Sequence, residues 1–294
     1  MPYSVVLHCV SPSGTVYPED LQGQKALALF LEELIQKQDA ALAMQLHAPS
    51  NAKPFTTAIL HRASTDRERR GRAAPDRPGA SQAVSHDGEM HLRITLLDDT
   101  LYPHISQFFL QHLDGVPLLR LGRSTLAVSR VMTTPESGDP WANFARFDEL
   151  LARASENETA WHIQFASPTA FRTGDAEMPL PVPRLCFQSW LNSWDEHAPL
   201  PFFQDKAVRR AFLAEVVEWG VSVTYDQLRL VQAPLYFNDV RTRDQGFVGA
   251  CRFTVKPSRI EPMYRKVLAT LAAYSYYAGT GRKTTMGMGL TRRL

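Results

Sequence analysis

Two hydrophobic rhythms alternate along the chain, and their alternation predicts its elements. Tyr3–Val10 is an apolar, β-branched run closed by Ser11-Pro12-Ser13-Gly14, which predicts a strand. From Asp20 to Ala43 the apolar positions Leu21, Ala28, Leu31, Leu34 and Ile35 fall at helical spacing, predicting a helix or a helical pair. Pro49, Ser50 and Asn51 mark a short loop, and Phe55–Leu60 reads as the next strand. Residues 91–97, His-Leu-Arg-Ile-Thr-Leu-Leu, alternate with the period of two that places one face of a strand on a core. A helix over about Leu101–Leu113 and a strand-rich stretch from Pro117 to Met132 complete a β-α-β-β-α-β order.

The second half repeats the theme. Thr133–Pro140 is turn-rich, and Trp141–Ala154 reads as a connecting helix. A strand at Trp161–Phe165, helices at Leu185–Trp194 and Asp205–Trp219, strands at Ser222–Phe237 and Phe247–Lys256, and a helix at Glu261–Tyr277 follow. The expected class is α+β: two tandem ferredoxin-like (RRM-like) units, each with two helices on one face of an antiparallel sheet. The first spans 1–135, a linker and connecting helix span 136–155, and the second spans 156–294. Between Arg62 and Glu89 the pattern lapses. Six arginines, three glycines and two prolines without periodicity read as a mobile excursion between strands.

Composition narrows the class. A chain of 294 residues that is 44% hydrophobic can build two cores. No apolar stretch approaches the ~20 residues of a membrane span. The N-terminus lacks the basic region of a signal peptide, so a cytoplasmic protein is expected. Cys9, Cys186 and Cys251 are too few and too widely spaced for a disulfide framework or a zinc knuckle, and read as buried small hydrophobes. The nine histidines are scattered without ligand spacing, so neither a metal nor another cofactor is expected. The net charge of +2 hides an asymmetry: Cys251–Leu294 holds nine basic residues against one acid, Glu261. A basic terminal face on a near-neutral protein points to an anionic partner.

The chemistry concentrates in Gly279-Thr280-Gly281-Arg282-Lys283-Thr284-Thr285-Met286-Gly287-Met288-Gly289, a G-x-G, five residues, G-x-G frame. Gly279 can cap the preceding helix in a left-handed conformation. Glycines let backbone N–H groups approach a phosphate or base, while Arg282, Lys283, Thr284 and Thr285 add charge and hydroxyls. A P-loop is excluded because Arg282 stands where glycine must precede Lys-Ser/Thr. A dinucleotide fingerprint is excluded because Thr284 replaces its third glycine and a helix, not a strand, leads in.

This frame resembles the signature loop of the CRISPR-associated repeat-processing endoribonucleases, Cas family six of the RAMP superfamily. Leu46-His47 followed by Lys53-Pro54-Phe55-Thr56 resembles the family's N-terminal catalytic region. Phe165-Ala166-Ser167-Pro168-Thr169-Ala170-Phe171-Arg172 resembles its mid-chain Ser-Pro-Thr segment, and Gly246-Phe247-Val248-Gly249 the turn and strand before the last helix. The resemblance implies a metal-independent endoribonuclease that cuts CRISPR repeat transcripts (pre-crRNA) into guide RNAs. In that chemistry a ribose 2′-hydroxyl attacks the adjacent phosphate, leaving a cyclic phosphate and a free 5′-hydroxyl. The resemblance also implies a CRISPR effector complex as a further partner.

Such a reaction needs a proton acceptor, a proton donor and positive charge at the transition state. By the resemblance His47 is the general acid or base and Lys53 the charge stabiliser, while Arg172, Gly279, Gly281, Arg282, Lys283, Thr284, Thr285, Gly287 and Gly289 bind RNA. Two departures stand out. No tyrosine occurs between Tyr17 and Tyr102 to add the third group that some members carry, and Thr57-Ala58-Ile59 replaces the Ser-Pro after Lys-Pro-Phe-Thr. His61 is a second candidate proton carrier, and Tyr274, Tyr276 and Tyr277 read as core. The competing readings are a non-catalytic RAMP-type protein holding crRNA in an effector complex, and a nucleotide-binding module.

Overall fold

Val5, Leu7 and Cys9 face one side of the first strand and Ser4, Val6 and His8 the other, and this division organises the first half of the molecule. The computed structural model describes residues 1–49, 52–61, 84–85, 90–233, 235 and 244–294. The first half runs β1 (Tyr3–Val10), β2 (Thr15–Val16), α1 (Gly23–Ala28), α2 (Ala40–His47), β3 (Phe55–His61), β4 (Val84–Ser85), β5 (Met90–Leu96), α3 (Tyr102–Leu110), β6 (Leu118–Leu121), β7 (Ser124–Met132) and β8 (Asn143–Phe144). Helix α1 continues without a break as π-helical turns over Leu29–Gln36. Asp39 starts α2 by accepting the Leu42 N–H at 2.9 Å, a side-chain cap.

The main sheet has the order β3-β5-β1-β7-β6, all antiparallel. Its apolar face buries Leu7, Phe55 and Ile94 against Phe30 and Leu34 of the α1 extension and Phe108 of α3. The opposite face is polar yet also buried: Ser4, His8, Arg93 and Thr95 all lie inside the fold. A buried polar face requires partners, and later segments supply them to three of the four. Ser4 Oγ donates to the Trp141 carbonyl, His8 pairs with Asp139 and Arg93 reaches Tyr276, while Thr95 Oγ1 is left without a hydrogen bond among the described residues. Arg93, fully buried, donates to Ser4 Oγ at 2.8 Å and to the Tyr276 carbonyl at 2.6 Å. Its guanidinium lies 5.0 Å from the Trp141 ring centroid and 4.5 Å from that of Tyr276.

The second half runs α4 (Phe147–Arg153), β9 (Ala160–Thr169), β10 (Phe171–Thr173), β11 (Ala176–Met178), α5 (Pro183–His197), α6 (Lys206–Ala211, extended as π-turns to Glu218), β12 (Val221–Gln232), β13 (Gln245–Val255), α7 (Pro262–Ala278) and β14 (Thr291–Arg293). The sheet order is β12-β13-β9-β14, again antiparallel. Trp161, Phe187, Trp190, Phe253 and Tyr274 fill its core, and Leu97 from the end of β5 and Phe147 of α4 join it. In both sheets the second, third, first and fourth strands of a β-α-β-β-α-β unit lie side by side, the ferredoxin-like arrangement expected from the sequence. Tyr274 and Tyr277 are buried core residues, and all three cysteines are buried thiols. Burial pushes Cys9 and Cys251 up to about 12, which keeps them protonated and inert.

Three expectations are corrected. Trp141–Ala154 is not one helix: β7 leaves β1 after Val6, and β8 takes over its edge at Tyr3 and Ser4, so helix begins only at Phe147. Of the strand expected over Ser222–Phe237, the described part ends at Gln232, with 234 and 236–237 outside the described residues. The residues after the glycine-rich loop, for which the pattern predicted no element, form a strand, β14, which completes the second sheet against β9. The reading of 62–89 as an excursion lies outside the described residues, apart from Val84–Ser85, which pairs with β2. No helix among the described residues is long and apolar enough to cross a membrane.

Candidate functional site

The glycine-rich loop joins α7 to β14 and is laced to the end of β9. The Gly289 N–H donates to the Pro168 carbonyl at 2.9 Å, Leu290 N–H to Ser167 Oγ at 2.9 Å, and Arg282 N–H to the Ala170 carbonyl at 3.0 Å. Gly281 N–H donates to Ser189 Oγ of α5 at 2.9 Å. Buried Thr280 accepts from Trp190 Nε1 at 2.8 Å and meets Thr291 Oγ1 at 2.7 Å. The loop and the Ser-Pro-Thr segment, more than a hundred residues apart in sequence, are therefore one structure. Most of these N–H groups are spent inside the fold, contrary to the expectation that they face a phosphate. Gly289, with φ +71°, explains itself by packing: a Cβ there would overlap the Thr280 carbonyl oxygen.

The same loop reaches the first sheet. Thr57 Oγ1 on β3 donates to the Thr285 carbonyl at 2.7 Å. Gly23 opens α1 because any side chain there would collide with the Met286 carbonyl.

Between the two halves lies a cleft of about 500 Å³. Lys53 stands on one wall, Arg172 and the Ser189–Ser193 face of α5 on another, and Gly281–Thr285 on a third. The structure thus gathers Lys53, Arg172, Gly281, Arg282, Lys283, Thr284 and Thr285. Gly279 and Gly289 are buried behind them, and Gly287 borders a separate apolar pocket beside Met286 and Met288. His61 lies outside what is described of the side chains.

The cleft's cations have acidic partners that linear reading did not find. Arg282 pairs with Glu177 of β11 and stands 3.5 Å from Asp244, and Lys283 Nζ lies 2.5 Å from the same carboxylate. Arg172, exposed, donates to the Gly174 carbonyl at 3.1 Å and lies 3.6 Å from Asp175. Burial lowers the Arg282 pKa, and the nearby charge of Arg172 lowers it further. The positive charge expected at the loop tip is accordingly balanced in part.

His47 is exposed at the last position of α2 and does not line the cleft. It is tied to the cleft through Lys53, whose Nζ donates to the carbonyls on either side of it, Leu46 at 2.7 Å and Ala48. These are helix-end carbonyls that lack intrahelical partners, so the ammonium caps the helix that presents His47. Burial lowers the Lys53 pKa. His197, at the end of α5, hydrogen bonds to the Lys53 backbone, and burial lowers its pKa. It is a residue of this neighbourhood that no sequence pattern marked. Cations and hydroxyls around a polar cleft suit a phosphodiester better than an apolar ligand.

Two ferredoxin-like sheets, locked together by a glycine-rich loop that lines such a cleft, define a RAMP-type architecture. The fold is shared along the whole chain with a RAMP protein that binds different RNA substrates, at 13% identity and a TM-score of 0.55. Residues 1–152 match the CRISPR Cas6 N-terminal domain and residues 163–291 the CRISPR-associated endoribonuclease Cas6 domain, so the chain belongs to the Cas6 family. CRISPR-associated endoribonucleases Cas6 from Mycobacterium tuberculosis are 29% identical over 182 residues, 60% of this chain and 50% of theirs. One from Streptococcus thermophilus is 31% identical over 147 residues, 48% of this chain and 54% of its own. The chain spans about half the length of the curated relatives it matches. A Cas6 product complex superimposes with a TM-score of 0.77 and 28% identity, covering 100% of this chain and 99% of that one. A Thermus thermophilus Cas6 gives 0.70 and 27%.

Proposed function

We propose that this protein is a metal-independent endoribonuclease that binds CRISPR repeat transcripts and cuts them into guide RNAs. The observation that carries the reading is one cleft in which Lys53, tied to both neighbours of His47, faces the glycine-rich loop. Full-length similarity to a Cas6 product complex supports it. In this reading Arg172, Arg282, Lys283, Thr284 and Thr285 seat the RNA backbone, exchanging their carboxylate partners for phosphate. His47 moves the proton, as acid or base, while the 2′-hydroxyl attacks the adjacent phosphorus and the 5′-oxygen departs. Lys53 fixes the turn that carries His47 and adds positive charge near the phosphate. The setting is the cytoplasm, and delivery of the product to an effector complex follows from the same reading.

The test is cleavage of a cognate repeat RNA in excess EDTA. One cut leaving a cyclic phosphate is expected, and His47→Ala removes about a thousandfold of the rate with binding retained. RNA bound but left whole by the unaltered protein would favour a non-catalytic crRNA-holding role instead.

A further inference from the structure

Linear spacing offers no metal-ligand set, but strand register assembles one. His8 on β1 and His91 on β5 are directly opposed in the antiparallel pair, and their rings stack with centroids 3.7 Å apart and planes 13° from parallel. Asp139, in the segment between β7 and β8, completes the group. Its Oδ2 lies 3.0 Å from His8 Nε2 and 3.5 Å from His91 Nδ1. The three donor atoms all fall within 4.8 Å of one another. The remaining carboxylate oxygen, Oδ1, accepts the Trp141 N–H at 2.8 Å, which fixes the direction in which Oδ2 points. His8 and Asp139 are 7% and 8% exposed, and His91 is half-buried.

We propose that His8, His91 and Asp139 bind a divalent transition-metal ion of the zinc type, with water in the fourth position. Metal–ligand bonds of about 2.0–2.1 Å in a tetrahedral site place ligand atoms roughly 3.4 Å apart. The two separations to Asp139 bracket that spacing, and the face-to-face imidazoles of His8 and His91 must turn about their Cβ–Cγ bonds to aim both lone pairs at one ion. Two imidazole nitrogens and one carboxylate oxygen suit zinc, cobalt or nickel rather than magnesium or calcium, which favour all-oxygen shells. The Trp141 N–H acts as the outer-shell bond that orients a ligating carboxylate. The ion would join β1, β5 and the connector that carries Trp141, whose ring lies beside Arg93 and Tyr276. Its place is structural, on the seam between the two halves. No step of RNA cleavage passes through it, and cutting in EDTA is compatible with it.

The experiment uses the full chain without an affinity tag, stripped with EDTA and titrated with Zn²⁺ by calorimetry and with Co²⁺ by absorption. One equivalent is expected to bind, with a cobalt spectrum free of thiolate charge-transfer bands and a melting temperature raised by several degrees. His91→Ala and Asp139→Asn, each checked for an unchanged fold by circular dichroism, should weaken binding about a hundredfold or more. His91 is half-buried and Asp139→Asn keeps the side chain's shape, so both variants can fold. Absence of a saturable equivalent in the unaltered protein overturns the proposal. So does zinc binding that persists in both variants, or a thiolate band that moves the ion to a cysteine. Because the readout is metal binding, its failure leaves the cleavage reading untouched, and the converse holds too.

Discussion

The glycine-rich loop lines the cleft, the His47 turn stands off it and is tied to it through Lys53, and the two are held in opposite ways. The loop is fixed from three sides, by β9, by α5 and by β3, with hydrogen bonds on both backbone and side chains. The His47 turn stands exposed, and the Lys53 ammonium grips the carbonyls on either side of the histidine. The difference teaches where substitution costs fold and where it costs chemistry. A wall that must seat a polyanion reproducibly is over-determined. A proton-transferring side chain needs access and only a fixed point of departure.

The comparison can be broken from either side. The largest expected effect is that of His47→Ala, about a thousandfold on cleavage with no change in melting temperature. A matching loss of stability would mean that His47 holds the fold, and the contrast would fail. Gly289→Ala should do the reverse, costing about 3 kcal/mol in chemical denaturation through its positive φ and the clash with Thr280. Lys53→Met lies between them, with about 1–2 kcal/mol lost from its two hydrogen bonds and roughly a tenfold slower cut from a misplaced His47. Unaltered stability with a far larger loss of rate would assign Lys53 to the phosphate alone.

The smallest effect is in pH. Burial holds the His197 pKa below its usual 6.5 in the folded protein, whereas the unfolded chain takes up a proton near that value. The unfolded state therefore binds more protons as pH falls through about 6.5, and stability declines on the acid side while the neutral side is unaffected. His197 is partly solvated, so only a few tenths of a kcal/mol are expected. Melting curves at about pH 7.5 and about pH 5.5 should show a shallower drop for His197→Gln than for the unaltered chain.

Much of the fold was legible because strands with one buried face announce themselves by alternation, as residues 91–97 do. Asn143–Phe144 and Thr291–Arg293 were not legible: two or three residues carry no period, and only a vacant strand edge makes them β. In the site, the four-glycine frame and the His47–Lys53 spacing could be read directly. The acids Glu177 and Asp244 could not, since nothing in the chain near them announces an arginine or lysine dozens of residues away. The same holds for His8, His91 and Asp139, whose proximity exists only through register. Glycine's double use also misled: the frame suggested space for a phosphate, but Gly281 and Gly289 are set by neighbouring carbonyls.

The hydrogen bond from Arg93 to Tyr276 spans 183 residues of sequence, and this bears on the order in which the molecule forms. The first sheet can close its apolar core from local strands and helices while the face bearing Ser4, His8, Arg93 and Thr95 waits for α7. Had that face been apolar, the waiting intermediate would present a sticky sheet to its neighbours. Being polar, with an arginine at its centre, it stays hydrated until the second half arrives. The seam between the halves is thus lined by groups that water can satisfy until α7 covers them.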